Sequence, residues 1–357
     1  MKRKRFLLVL LWILTLLFVL SSCGGTIVII IGDYGILFVT ERDGNKEIYL
    51  VRPKTFGGME VVNLTNNPDD DLAPAWRNDG VIGFLRLSAS GLSLWMMNKD
   101  GTNPVKLVDV GNVDPRAYLP SWSPDGNKIV VGYKDNTMFP SSHLAVYDLS
   151  TGILTIIEDA GFMVALGSGV MNPSSSYHEI AYHEGMIFQD IYTSSYDGSV
   201  KTNLTNTSGS SNLNPCWNSD GTKIAYSCQK TGGYEICVMN RDGSSNTQIT
   251  NDTKDDRTPH WVGNKIVYEK DGDIYLSYFD GTNWNEKAVY VDGATSEKYP
   301  RLSPDGNRVA FLSDMSGDWR IYVIKIDAQG NPQGSPVEVS NGAVVDDYPP
   351  LWSTVLF

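Results

Sequence analysis

Cysteine is scarce in this chain of 357 residues, which holds four of them: Cys23, Cys216, Cys228 and Cys237. No two have Cys-x-x-Cys spacing, which excludes a thiolate zinc ribbon or a thioredoxin-like redox pair. Histidine is as rare: His143, His178, His183 and His260 are scattered and form no three-histidine set. Basic residues fall short of acidic ones, 29 against 41, for a net charge of −12. A field of that sign repels phosphate backbones, so no nucleic-acid partner is expected. No stretch keeps a 3.6-residue apolar period, while 34 glycines run along the chain, which excludes a helical bundle. Gly167-Ser168-Gly169 and Ser208-Gly209-Ser210 lack the strand–elbow–helix setting of a nucleophilic serine, and no Gly-rich stretch opens a helix as a phosphate loop does.

The one long apolar run, Phe6 to Leu20, follows Lys2-Arg3-Lys4-Arg5. It is short for a membrane span and suits a secretory signal covering residues 1–22. Leu20-Ser21-Ser22-Cys23 resembles the lipobox of bacterial lipoproteins. That resemblance implies acylation at Cys23 and a membrane anchor by lipid alone, placing the protein outside the cytoplasm at the cell envelope. A plain signal peptide with Cys23 merely nearby is the alternative. Residues 23–34 then form a short lead.

What the chain does have is a repeat. Pro120-Ser121-Trp122-Ser123-Pro124-Asp125-Gly126 is one copy, and Pro74-Ala75-Trp76 and Pro215-Cys216-Trp217 begin two more. Pro259-His260-Trp261, Pro300-Arg301-Leu302 and Pro350-Leu351-Trp352 follow, with a degenerate copy at Met171. Residues 76, 122, 171, 217, 261, 302 and 352 stand 41 to 50 apart, the length of a four-stranded blade. Each anchor leads through an Asp-Gly turn to an alternating run such as Lys223-Ile224-Ala225-Tyr226-Ser227, which reads as a half-buried strand. Third strands such as Glu235-Ile236-Cys237-Val238 and short fourth strands such as Gln248-Ile249-Thr250 complete the unit.

This order of motifs resembles the WD40-like repeats of the TolB-type β-propeller (PD40), over nearly all of residues 35–357. The fold expected is all-β: a seven-bladed β-propeller of four-stranded blades. Gly35 to Thr40 lacks an anchor before it, and Pro350 to Phe357 lacks strands after it. The N- and C-terminal strands are therefore expected to share one blade and close the ring. The weak copy at Met171 leaves six or eight blades open.

Several residues are candidates for chemistry. Five positions before the anchors stand Asp71, Ala117, Leu166, Asn212, Asp256, Glu297 and Asp347. Carboxylates converging there at the channel mouth, with His260 nearby, would offer hard oxygen ligands for Ca²⁺ or another cation, or contacts for a partner. The alternative is that each Asp serves its own loop. Cys228 and Cys237 lie symmetrically about Gly232-Gly233, so a two-residue hairpin would set them opposite, as a disulfide or as two buried thiols. Trp284 and Trp319 sit at hairpins and are expected either exposed or packed between blades.

The resemblance implies a monomeric protein- or peptide-binding scaffold of the cell envelope, with no catalytic residue and no cofactor beyond a possible Ca²⁺. TolB has an α/β domain before its propeller that has no counterpart here, which puts the specific Tol role in doubt. Alternatives are a metal-dependent carbohydrate-active enzyme similar to the propeller polysaccharide lyases, and a Ca²⁺-stabilised structural protein of the surface.

Overall fold

The computed structural model describes residues 32–357 apart from 55, 56, 112, 136–140, 162 and 163. Cys23, its proposed acylation and most of the lead lie outside the described residues. The described chain is all-β and forms seven antiparallel sheets, the blades of one propeller. Blade 1 joins Leu351–Leu356 to Tyr34–Thr40, Glu47–Pro53 and Met59–Asn63. Its seam pairs Ile36 with Trp352 and Leu37 with Leu351, so the tail of the chain supplies the innermost strand that the head lacks.

Blades 2 to 7 each run outward in chain order. Their innermost strands are Asp70–Trp76, Val113–Trp122, Val170–Met171, Asn212–Trp217, Asp256–Val262 and Glu297–Leu302. In blade 4 the innermost strand is broken. Ala165–Leu166 and Val170–Met171 both pair with Glu179–Gly185, separated by Gly167, Ser168 and Gly169.

The second strands are not half-buried, as their alternation suggests. Lys223–Lys230 has five consecutive buried residues, and Arg308–Ser313 has five of six. The reason is stacking: a blade between two neighbours buries both faces, so both side-chain parities become core. Hydrophobic clusters accordingly span blade seams, as where Ala310, Leu312 and Ile321 of blade 7 meet Ile36, Phe38 and Trp352 of blade 1.

The repeat residues do local work. Ser123 Oγ donates to Asp125 (2.6 Å) and accepts the amide of Lys128 (2.9 Å), and Ser303 does the same with Asp305 and Arg308. This sets the Ser-Pro-Asp-Gly turn and launches the second strand. Further out, Thr250 Oγ1 accepts the amide of Ile236 (2.8 Å) and donates to Glu235 (2.7 Å). That pair ties a threonine just beyond the fourth strand, Thr247–Gln248, to an acid near the start of the third, Gly233–Asn240.

The anchor tryptophans join blades. Trp76 Nε1 donates to the Leu351 carbonyl, Trp122 to Ala75, Trp217 to Val170 and Trp352 to Arg301, at 2.9–3.2 Å. Each acceptor is the residue just before the anchor of the preceding blade. Trp261 instead reaches Gly263 of its own shortened turn (2.9 Å).

Candidate functional site in the channel

The innermost strands enclose a cavity of about 690 Å³ along the ring axis. Its wall is the Pro-x-Trp motif itself. The residues before the anchors, Ala75, Ser121, Val170, Cys216, His260, Arg301 and Leu351, all line it. The three consecutive polar members with the richest chemistry, Cys216, His260 and Arg301, come from blades 5, 6 and 7.

A bulge governs which side chains face this channel. Ala73, Asn214, Thr258 and Tyr299 have φ of 48°, 52°, 53° and 55°, and a proline follows each. The strand register slips at the same points: Leu72/Ala75, Leu213/Cys216, Arg257/His260 and Lys298/Arg301. Proline has no N–H to leave unpaired at such a slip. The extra residue also inverts the in–out parity of everything before it.

That inversion separates the residues five places before the anchors from those one place before. Of Asp71, Asn212, Asp256, Glu297 and Asp347, only Asp347 lines the cavity, together with His260. Asp71 is fully buried and accepts from Arg86 Nε and Nη2 of its own blade (2.7 and 2.8 Å) and from Asn67 (2.5 Å). Asp256 is fully buried beside Lys270, 3.8 Å away, and burial raises its carboxyl to about 7. Glu297 accepts from Ser313 (2.8 Å) and Thr295 (2.7 Å), and Asn212 donates to Thr207 (2.7 Å). Asp347 pairs with Lys298 (2.5 Å) and is largely exposed. Among the described residues no three His, Cys, Asp or Glu side chains come together to hold a metal. The expected convergence of these carboxylates on one point is thus corrected: four of the five side chains face into the sheets.

The wall stitches blades together through side chains. Ser121 Oγ accepts the amide of Met171 (3.1 Å), and His260 Nδ1 accepts that of Leu302 (3.1 Å). Cys216 instead donates its thiol to the Trp217 carbonyl of its own strand (3.5 Å). At Ser121 and His260 the residue before one anchor thus takes the N–H of the next blade's anchor position. His183, from the second strand of blade 4, also lines the cavity, and its Nδ1 accepts the amide of Asn214 (3.3 Å). It sits against Gly167, where a Cβ would lie 2.1 Å from its ring. The degenerate fourth repeat is therefore the one that admits a histidine ring.

A backbone N–H can only donate, so Nδ1 of both histidines must be the unprotonated nitrogen and Nε2 carries the hydrogen. Burial keeps the rings neutral, lowering His183 to about 4 and His260 to about 3, the latter with help from the Arg301 charge. Both rings thus offer the channel a donor rather than a lone pair, which disfavours metal ligation through Nε2. Arg301 is pushed down by burial, opposed weakly by Cys216 and Tyr299. In the second strand of blade 6, burial raises Glu269 to about 7, against the fields of Arg257 and Lys298.

Cys228 and Cys237 are joined, with Cα atoms 5.8 Å apart. They are not directly opposite. The register pairs Lys230 with Gly233, Cys228 with Glu235 and Tyr226 with Cys237. The turn is therefore Thr231-Gly232, and the bond crosses the hairpin diagonally. Trp284 and Trp319 are both half-buried: Trp284 packs edge-on against Trp261 (5.8 Å) and Lys298 lies over Trp319 (4.0 Å).

The reading of the anchor motif missed Arg301, Cys216 and His183. The signal for the first two was present: the middle letter of Pro-x-Trp, written in register, reads as a ring around the channel.

A family model described as the TolB beta propeller domain matches residues 82–331. An uncharacterized protein of Agrobacterium fabrum is 28% identical over 280 residues, covering 74% of this chain and 90% of that one. A TolB homolog of Chlorobium luteolum is 28% identical over 144 residues, 39% of this chain and 32% of its own length. Among solved structures, the oligogalacturonate lyase of Vibrio parahaemolyticus superposes with a TM-score of 0.63 at 16% identity, covering 84% of this chain and 88% of that one. That last likeness concerns the fold alone.

Proposed function

The chain belongs to the TolB beta propeller domain family, and from that premise we propose that it is a binding scaffold for a protein or peptide at the cell envelope. The observation that carries this reading is the channel: a 690 Å³ cavity walled by proline and tryptophan, with a few polar groups turned inward. Such a wall suits an extended segment, because apolar contact supplies affinity and the sparse polar groups orient it. Anchoring through acylated Cys23 would hold the ring outside the cytoplasm within about 35 Å of a membrane, given the short lead.

Two measurements test this. Radiolabelled palmitate should enter the wild-type chain and not Cys23→Ala. Peptides selected on the purified propeller should lose binding in Val170→Trp, which fills the channel from a wall position whose side chain makes no hydrogen bond. Retained binding in that variant would move the site off the axis. A metal-assisted carbohydrate enzyme draws support only from likeness of fold.

A further inference from the structure

We propose that the channel wall of blades 6 and 7 is a carboxylate-binding site, with the Arg301 guanidinium and the Nε2–H of His260 as its donors. The proposal rests on the peptide-binding reading and deepens it: the carboxylate is that of the bound peptide.

Arg301 stands apart among the polar members of its ring. Where Ser121 and His260 each accept an N–H from the next blade, an arginine has no lone pair to give. Its one hydrogen bond among the described residues runs from Nη1 to the Pro300 carbonyl (2.9 Å). Of the nine arginines whose side chains the structure describes, seven pair with a carboxylate. Of the other two, Arg42 is exposed at the surface over Tyr49, and Arg301 is inside the channel. Among the described residues no acid partners Arg301. Its field reaches Cys216 and His260, which places all three in one neighbourhood.

A permanent charge held inside a protein without a counterion is costly, and this chain has acids to spare. The remaining guanidinium N–H groups open on the cavity, and His260 adds a neutral donor whose tautomer is set by Leu302. Two or three convergent donors, one of them a planar fork, match the two oxygens of a carboxylate. The ligand completes the ion pair that the fold leaves half-made.

The test uses peptides selected from a library displayed with free C-termini on the full propeller. Each is re-synthesised as the acid and with every carboxyl amidated, and malonate serves as a free-anion probe. Titration calorimetry should show the acid form at least tenfold tighter than the amide, and Arg301→Gln should erase that difference. Arg301→Gln should melt no lower than wild type, since it removes an unpaired cation. Malonate binding to wild type alone, with no peptide selected, would keep the site and overturn the peptide reading. Acid and amide binding alike to both proteins would keep the peptide reading and overturn the site. Failure of every probe overturns both. Should Arg301→Gln not fold, the Arg301 Nε–H resonance of wild type is followed instead. Its shift on adding malonate supports the site, and its indifference to saturating malonate and peptide refutes it.

Discussion

Substituting Trp352→Phe tests whether the ring is held shut at its seam by the same device that joins other blades. The indole Nε1 donates to the Arg301 carbonyl at 2.9 Å, across the boundary between blades 7 and 1. Phenylalanine keeps most of the contact with Ile36 and Leu312 but leaves that carbonyl without its donor. A lost partner costs roughly 1–3 kcal/mol. The smaller ring forfeits on the order of 40 Å² of burial, about 1 kcal/mol more. The expected loss at the seam is about 2–4 kcal/mol, or a roughly thirty- to nine-hundredfold rise in opening. Amide hydrogen exchange at Ile36, Leu37 and Trp352 reads it directly. Trp261→Phe is the control, because its indole bonds Gly263 within its own blade (2.9 Å) and lies away from the seam. It should lower the urea midpoint similarly while leaving seam amides protected. Equal loss of seam protection in both variants would mean that blade 1 opens only when everything unfolds, and the reasoning fails.

Thr258 is β-branched at φ 53°, and its hydroxyl is enclosed without a partner. Relief of roughly 1–2 kcal/mol of backbone strain and of the orphan hydroxyl outweighs the roughly 0.5–1 kcal/mol that glycine loses in freedom. Thr258→Gly should therefore raise the urea midpoint at unchanged slope. The histidines and carboxylates pull stability in opposite directions with pH. His260, lowered to about 3, binds its proton more readily unfolded, so its contribution falls as pH drops below the ordinary histidine range. Glu269, raised to about 7, holds its proton better folded, so its contribution is lost as pH rises towards 7. Melting curves from pH 5 to 8 should show His260→Gln gaining on wild type at the acid end and Glu269→Gln gaining at the alkaline end. Reducing the Cys228–Cys237 bond, nine residues apart in sequence, should cost at most roughly 2–3 kcal/mol in the denaturation midpoint. Chelation with EDTA should leave the melting temperature unchanged, because Asp71 already has Arg86 as its counterion; a fall of several degrees would restore a structural cation.

The architecture was legible because its cause is periodic. Spaced Pro-x-Trp and Asp-Gly signals report turns and anchors that depend only on nearby residues, and head-to-tail closure follows from counting strands. The site was less legible because it depends on parity. Asp71 and Ala75 are four apart, so an unbroken strand would put both in the channel. The left-handed Ala73 inserts a residue's worth of slip and sends Asp71 to Arg86 instead. Nothing in the letters Leu-Ala-Pro announces that conformation, since alanine does not favour positive φ. The cysteine register was misjudged for a related reason. Two adjacent glycines suggested the turn centre, but Thr231-Gly232 makes the turn and Gly233 begins the strand.

The shared first blade also decides how the molecule bears load. Every other innermost strand is tied to its neighbour by a covalent turn, whereas Leu351–Leu356 meets Tyr34–Thr40 through hydrogen bonds and side chains alone. A tension applied through the residues before Gly32 arrives at that joint first. A ring pulled from that end would yield by parting its first strand from its last, because the pairing with Glu47–Pro53 on the other side is backed by a covalent turn.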